Sequence, residues 1–132
     1  MTEDSLATRT RLGTVLIIED EGLLSLMMED IVREMGADSV HVFGDVASAR
    51  ETAALAPIDC AILDLVVRDG NSNEIADILS DRAIPFIFST GSGDEGIAEH
   101  HRHRPIINKP FADDDLRAGL RTVLSATRNA ER

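Results

Sequence analysis

Apolar and polar positions come in blocks along this chain, and the period of the blocks switches back and forth. Thr14-Val15-Leu16-Ile17-Ile18 is an unbroken, largely β-branched run that ends in Glu19-Asp20-Glu21. Such a run predicts a strand covered on both faces. Leu24, Met28, Ile31 and Met35 follow at spacings of 4, 3 and 4, with Gly36 behind them. This predicts an amphipathic helix and its stop. Ser39-Val40-His41-Val42-Phe43 alternates like a strand, and Gly44-Asp45 caps a helix that carries Val46, Ala49 and Ala53 on one face before Pro57 closes it. A third apolar run, Asp59-Cys60-Ala61-Ile62-Leu63-Asp64-Leu65-Val66-Val67, holds an aspartate in its middle. A carboxylate is costly to bury without partners, so Asp64 marks where this strand leaves the core.

Arg68-Asp69-Gly70-Asn71-Ser72 reads as a turn, and Ile75, Ile78 and Leu79 as the face of a short helix. Pro85 opens the strand Phe86-Ile87-Phe88, a position where a strand tolerates proline. Ser89 to Gly96 is a glycine-rich loop, and residues 97–104 have weak helical character at best. Ile106-Ile107 is a brief strand ended by Lys109-Pro110. Asp113, Asp114 and Asp115 fill the first turn of a last helix, whose stripe is Leu116, Leu120, Val123 and Leu124. Residues 1–12 and 128–132 lack apolar periodicity and are expected to be flexible tails around one domain at 13–127.

Five strands alternating with helices, a βα unit five times over, predict an α/β fold. It is a doubly wound five-stranded parallel sheet with helices on both faces. Short right-handed connections favour the strand order 2-1-3-4-5.

Composition narrows the function classes. The chain has 132 residues with 24 acidic against 13 basic side chains, a net charge of −11. That balance argues against a nucleic-acid or anionic-membrane partner and suits a divalent cation where carboxylates gather. The one cysteine, Cys60, lies within a buried strand and is read as a small hydrophobe rather than a reactive thiol. The polar, acidic start is no secretory signal, and no apolar run approaches the ~20 residues of a membrane helix. A cytoplasmic location is the expectation.

In the predicted sheet every strand points its carboxyl end at one edge. Strand 1 brings Glu19 and Asp20 there, strand 3 Asp64, strand 4 Thr90 and strand 5 Lys109. Crowded carboxylates raise one another's pKa unless a cation intervenes. Hard oxygen donors at this density suit Mg²⁺. One carboxylate can then attack phosphorus, giving an acyl phosphate, while the metal and the lysine neutralise the phosphoryl oxygens. Asp64, alone on its strand, is the natural nucleophile, and Glu19-Asp20 the natural metal holders.

These residues carry a family resemblance. Over roughly 13–127 the chain resembles the response regulator receiver domain, with Glu19-Asp20, Asp64, Thr90 and Lys109-Pro110-Phe111 after strands 1, 3, 4 and 5. The resemblance implies the flavodoxin-like receiver fold. It implies a single-domain regulator that takes phosphate on Asp64 from a histidine kinase or histidine phosphotransferase. Such a domain catalyses only its own phosphoryl transfer and hydrolysis and is not an enzyme in the usual sense. Mg²⁺ is then held by Glu19, Asp20, Asp64 and the Val66 backbone carbonyl. Thr90 becomes the switch hydroxyl and Lys109 the phosphate partner, next to a cis Lys-Pro bond. A downstream protein is expected on the face of the fourth helical region, fifth strand and last helix. Where most receivers carry an aromatic rotor, three residues before the lysine, this chain has Ile106. Phe88-Ser89-Thr90-Gly91 resembles the start of the Phe-Ala-Thr-Gly-hydrophobic-Tyr motif of an atypical subgroup that also lacks the aromatic and pairs with HWE-type kinases. Ser92 and Gly93 depart from that motif.

Other patterns point elsewhere. Gly91-Ser92-Gly93-Asp94-Glu95-Gly96 fits a dinucleotide-binding G-x-G-x-x-G, but it follows the wrong strand, and its Asp94 and Glu95 would repel a pyrophosphate. It reads as a loop free to move Thr90. His100, His101 and His103 are read as a solvated stretch, with a metal site as the lesser alternative. A phosphatase of the haloacid dehalogenase type would need an aspartate where Val66 stands. A pseudo-receiver that docks without phosphorylation is the remaining rival.

Overall fold

The computed structural model describes residues 12–131, with side chains from 12 to 125. The sheet strands are β1 (Gly13–Ile18), β2 (Ala37–Phe43), β3 (Cys60–Asp64), β4 (Phe86–Thr90) and β5 (Ile106–Asn108). The helices are α1 (Gly22–Glu34), α2 (Val46–Leu55), α3 (Asn73–Asp81) and α4 (Asp113–Glu131). The strands form one parallel sheet in the order β2-β1-β3-β4-β5, as the connection rules anticipate. The lead-in expected over 1–12 lies, apart from Leu12, outside the described residues, as does Arg132; the tail expected from 128 is instead, over 128–131, the last turn of α4.

Strand residues alternate between two cores. Leu16, Ile18, Leu63, Phe86 and Phe88 pack with Ala49, Ala53, Ile75 and Leu79 under α2 and α3. Val15, Ile17, Cys60, Ile62 and Ile87 pack with Met28, Ile31, Leu116 and Leu120 under α1 and α4. Cys60 is fully buried, and that burial pushes its thiol up to about 12, the behaviour of an inert core residue. Gly36 follows α1 at φ 100°, a conformation glycine adopts without penalty.

Two expectations need correction. The long apolar run at 59–67 is not one strand. β3 ends at Asp64, and Val66–Val67 pairs antiparallel with Gly70–Asn71 in a small hairpin built on the predicted turn. The fourth of the five predicted helices is also missing. Between β4 and β5 there is a single 3₁₀ turn, Glu99–His101. Gly93 and Gly96 in that segment have positive φ (62° and 94°), and it has no apolar stripe, so only Ile97 and His101 are drawn into the core.

Helix α4 packs tightly enough to need a glycine. A Cβ on Gly119 would come within 2.4 Å of Ile87 Cδ1 and 3.3 Å of Ile107 Cγ2. Gly119→Ala should therefore destabilise the protein by roughly 1–2 kcal/mol, overpacking outweighing the gain in helix propensity. The denaturant midpoint measures this, and an unchanged or raised midpoint would contradict the packing.

Candidate functional site

Register determines what meets at the carboxyl edge. Ile18 pairs with Leu63, so the next residues, Glu19 and Asp64, emerge side by side. Asp64 pairs with Ser89 and Thr90 with Asn108, which puts Thr90 and Lys109 on the same rim. Backbone bonds hold the rim, from Leu65 N–H to the Ser89 carbonyl (2.9 Å) and from Lys109 N–H to the Thr90 carbonyl (2.7 Å). The Lys109–Pro110 bond is cis.

Lys109 Nζ reaches into the carboxylates, donating to Asp64 Oδ2 at 3.1 Å and lying 3.0 Å from Glu19 Oε1. Glu19 and Asp64 are buried, whereas Asp20 is exposed at the mouth. Burial raises the Glu19 pKa, and the charge of Asp64 adds to this; the Glu21 N–H, donating to Oε2 at 3.0 Å, and Lys109 oppose it. Burial alone would lower Lys109, but its contacts with Glu19 and Asp64 outweigh burial and raise it.

Glu19, Asp20 and Asp64 each offer a carboxylate oxygen within 4.8 Å of the others. The contact of Glu19 Oε1 with Lys109 is an ion pair without hydrogen-bond geometry, so that buried oxygen has no hydrogen-bond partner. An all-oxygen set with one orphaned buried oxygen fits a hard divalent cation. Val66, the other expected ligand, sits in the small hairpin with its residue 66% exposed.

Thr90 is buried at this edge, and its hydroxyl is engaged by Ser92. Its Oγ1 accepts from Ser92 N–H at 3.0 Å and lies 3.2 Å from Ser92 Oγ. Ile106, at the rotor position, packs half-buried against the α2/α3 core.

Three contacts were not foreseen. Ser72 Oγ donates to the Asp64 carbonyl at 2.6 Å, which is why this residue leaves the α3 N-terminus without a side-chain cap. Asp69 accepts from Val46 N–H at 2.8 Å and Ala47 N–H at 3.1 Å, holding the loop after Asp64 against the α2 N-terminus. Those bonds hold the Asp69 carboxyl below its usual range. Asn73 donates to the Gly96 carbonyl and accepts from Ala98 N–H, both at 2.9 Å, joining the start of α3 to the loop after Thr90. The only signal of Asp69 and Ser72 in the sequence is their place in a turn cluster, and Asn73 directly follows it.

An acidic pocket bridged by a lysine at the carboxyl edge of a 2-1-3-4-5 sheet is the architecture of a receiver-type signalling domain. The chain belongs to the response regulator receiver domains of two-component signalling. No family model matches it. The solution structure of SdrG from Sphingomonas melonis Fr1 is 37% identical with a TM-score of 0.74, covering 86% of this chain and 97% of that one. A second SdrG structure, of its BeF3-activated conformation, is 36% identical over the same shares with a TM-score of 0.70. The transcriptional regulatory protein PdtaR of Mycobacterium tuberculosis is 31% identical over 119 residues, 86% of this chain and 58% of PdtaR, so the chain spans about three-fifths of that relative's length. The receiver domain of sensor histidine kinase PA1611 from Pseudomonas aeruginosa PAO1, described with magnesium in its active site cleft, shares the fold at 19% identity and a TM-score of 0.72, covering 85% of this chain and 97% of that one. Among the described residues no helix is long and apolar enough to cross a membrane.

Lys109→Ala leaves Glu19 and Asp64 facing each other without a cation, at an expected cost of about 1–3 kcal/mol near neutral pH. Glu19 is raised above 4.5, so this cost fades as pH falls through its raised value and Glu19 loses its charge. Lys109 is itself raised above 10.5, so the pair persists through alkaline pH and is lost only as pH climbs past that raised value. Urea unfolding of both proteins across pH measures it. An equal difference at acid and neutral pH would show that the charges are not the cause.

Proposed function

We propose that this protein takes a phosphoryl group on Asp64 from a histidine kinase or histidine phosphotransferase and answers by changing how it binds a downstream partner. The observation that carries the reading is the Lys109 ammonium set between Asp64 and Glu19 in a pocket of three carboxylates. A nucleophilic carboxylate needs its negative charge held and positioned beside cations that can also take the incoming phosphoryl oxygens. Asp64 supplies the attacking oxygen. Lys109 already touches it and is placed to follow the charge onto the phosphoryl group. Glu19, Asp20, Asp64 and the Val66 carbonyl would hold Mg²⁺, which when bound neutralises phosphoryl charge as the P–O bond to Asp64 forms and the donor's bond to phosphorus breaks. The BeF3-activated SdrG and the magnesium in PA1611 support the same reading, since beryllofluoride stands in for a phosphoryl group on a carboxylate.

The response passes through Thr90. Its hydroxyl is engaged by Ser92, so turning to the phosphoryl oxygens means giving up that bond and reshaping the loop from Gly91. Ile106 cannot serve as an aromatic rotor. The link runs instead through Asn73, which ties the Asp64 loop to Gly96 and Ala98. The partner face comprises this loop, β5 and α4, where Pro105, Ile106, Asn108, Ala118 and Thr122 line an open groove of about 490 Å³. A donor of the HWE kinase class follows from the subgroup resemblance.

Acetyl phosphate with Mg²⁺, read by intact mass, tests the assignment. Wild type should gain one phosphoryl group, Asp64→Asn none, and Asp20→Asn should gain it at least about tenfold more slowly. Uptake by Asp64→Asn at the wild-type rate would place the acceptor elsewhere. No uptake from any donor would leave a docking module.

A further inference from the structure

The segment that replaces the fourth predicted helix is held by a polar stripe on α3. Asn73, Asp77 and Ser80 recur at helical spacing on that helix. Asn73 binds Gly96 and Ala98, and Ser80 Oγ accepts from Arg104 Nη2 at 2.9 Å. Between them Asp77 Oδ1 lies 2.8 Å from His100 Nε2 and 2.7 Å from His101 Nε2. Two imidazoles adjacent in sequence, their ring centroids 4.1 Å apart, thus converge on a single carboxylate oxygen. His103 takes no part in the cluster.

We propose that Asp77, His100 and His101 form a binding site for a borderline transition-metal ion of the Zn²⁺ class, separate from the acidic pocket. Two imidazole nitrogens and one carboxylate oxygen are a set that such ions prefer, unlike the all-oxygen set around Asp64. The ligand atoms lie within 4.8 Å of one another. A tetrahedral ion with bonds of about 2.0–2.2 Å keeps its donors roughly 3.3–3.6 Å apart, so the present N···O contacts of 2.8 and 2.7 Å need to open by roughly 0.5–0.9 Å. His101 is rigid: it is 1% exposed and stands edge-on to Phe86 at 5.7 Å. Its Nδ1 is buried without a partner, so Nε2 is the ring's one outlet, and it points into the cluster. His100 and Asp77 are open to solvent, with side chains 65% and 54% exposed, leaving an entry path and room for water as a fourth ligand. Binding needs each ring to present Nε2 bare and carry its one proton on Nδ1; a ring that starts neutral shifts its proton between nitrogens, and one that starts doubly protonated releases one proton to solvent. An ion here cross-links α3 to the loop that follows Thr90 and holds that loop in the observed position. None of this requires phosphorylation of Asp64.

The test is calorimetric titration of the full chain with zinc chloride in buffer saturated with Mg²⁺, so that the acidic pocket is occupied. Wild type should take up one Zn²⁺. His100→Gln and Asp77→Asn, both at exposed positions, should each weaken uptake about 10–100-fold. Asp20→Asn and His103→Gln should leave it unchanged. Imidazole nitrogen resonances of His100 and His101 should move on zinc addition while those of His41 stay put. No saturable uptake by wild type, equal uptake by Asp77→Asn and His100→Gln, or uptake lost only with Asp20→Asn or His103→Gln would each overturn the assignment.

Discussion

Lys109 places one ammonium 3.0 Å from Glu19 and 3.1 Å from Asp64, and the edge of the sheet is arranged around that contact. The three residues come from the ends of β1, β3 and β5, which are separated by long stretches of chain. They meet only because parallel strands in the 2-1-3-4-5 order end on one rim. The energetics are a balance. Burial raises Glu19 and by itself would pull Lys109 down, and mutual attraction reverses the outcome for the lysine but not for the glutamate. The pocket therefore holds a carboxylate whose burial is not offset, with an oxygen met by the Lys109 ion pair but by no hydrogen bond. That is poor design for stability alone, and it suits a site that takes up a cation and a phosphoryl group.

Around this pocket the loops are tied to one another more than to the core. Ser72 holds the Asp64 carbonyl, Asp69 caps α2 across the β3–α3 loop, and Asn73 reaches to Gly96 and Ala98. Helix α3 then continues the connection through Asp77 and Ser80 to His100, His101 and Arg104. A packed helix would be fixed by an apolar stripe. Here side-chain hydrogen bonds do that work, and many are solvent-exposed, so local opening should be easier on this side of the molecule than in the strands. In a chain without an aromatic at 106, hydrogen bonds thus join the Asp64 loop to the segment after Thr90.

Much of this was legible in the sequence because it follows from periodicity. Buried β-branched runs, the 4-3-4 spacing from Leu24 and the aspartate interrupting residues 59–67 each have one cheap explanation, and those explanations agree on the fold and on which side chains share an edge. Segment 97–104 was legible as weakly helical, since it lacks an apolar stripe, yet the count of five βα units still assumed a helix there. The partners of turn residues were not legible. Asp69 and Ser72 announce a turn, but nothing local says that one caps a helix whose N-terminus lies 23 residues back and the other binds a carbonyl. The histidines show the same limit: their spacing suggests His103 as a companion, whereas the fold supplies Asp77 from a different helix.

If this domain switches as proposed, charge arriving at Asp64 is felt at Thr90 and carried into the loop at 91–104. Adding beryllofluoride and Mg²⁺ while recording backbone amide spectra tests it directly. The Ser92 amide, which donates to Thr90 Oγ1, should shift together with those of Gly96 and Ala98, and none should shift in Asp64→Asn. Shifts confined to the neighbours of Asp64, with Ser92 and the loop unmoved, would contradict it.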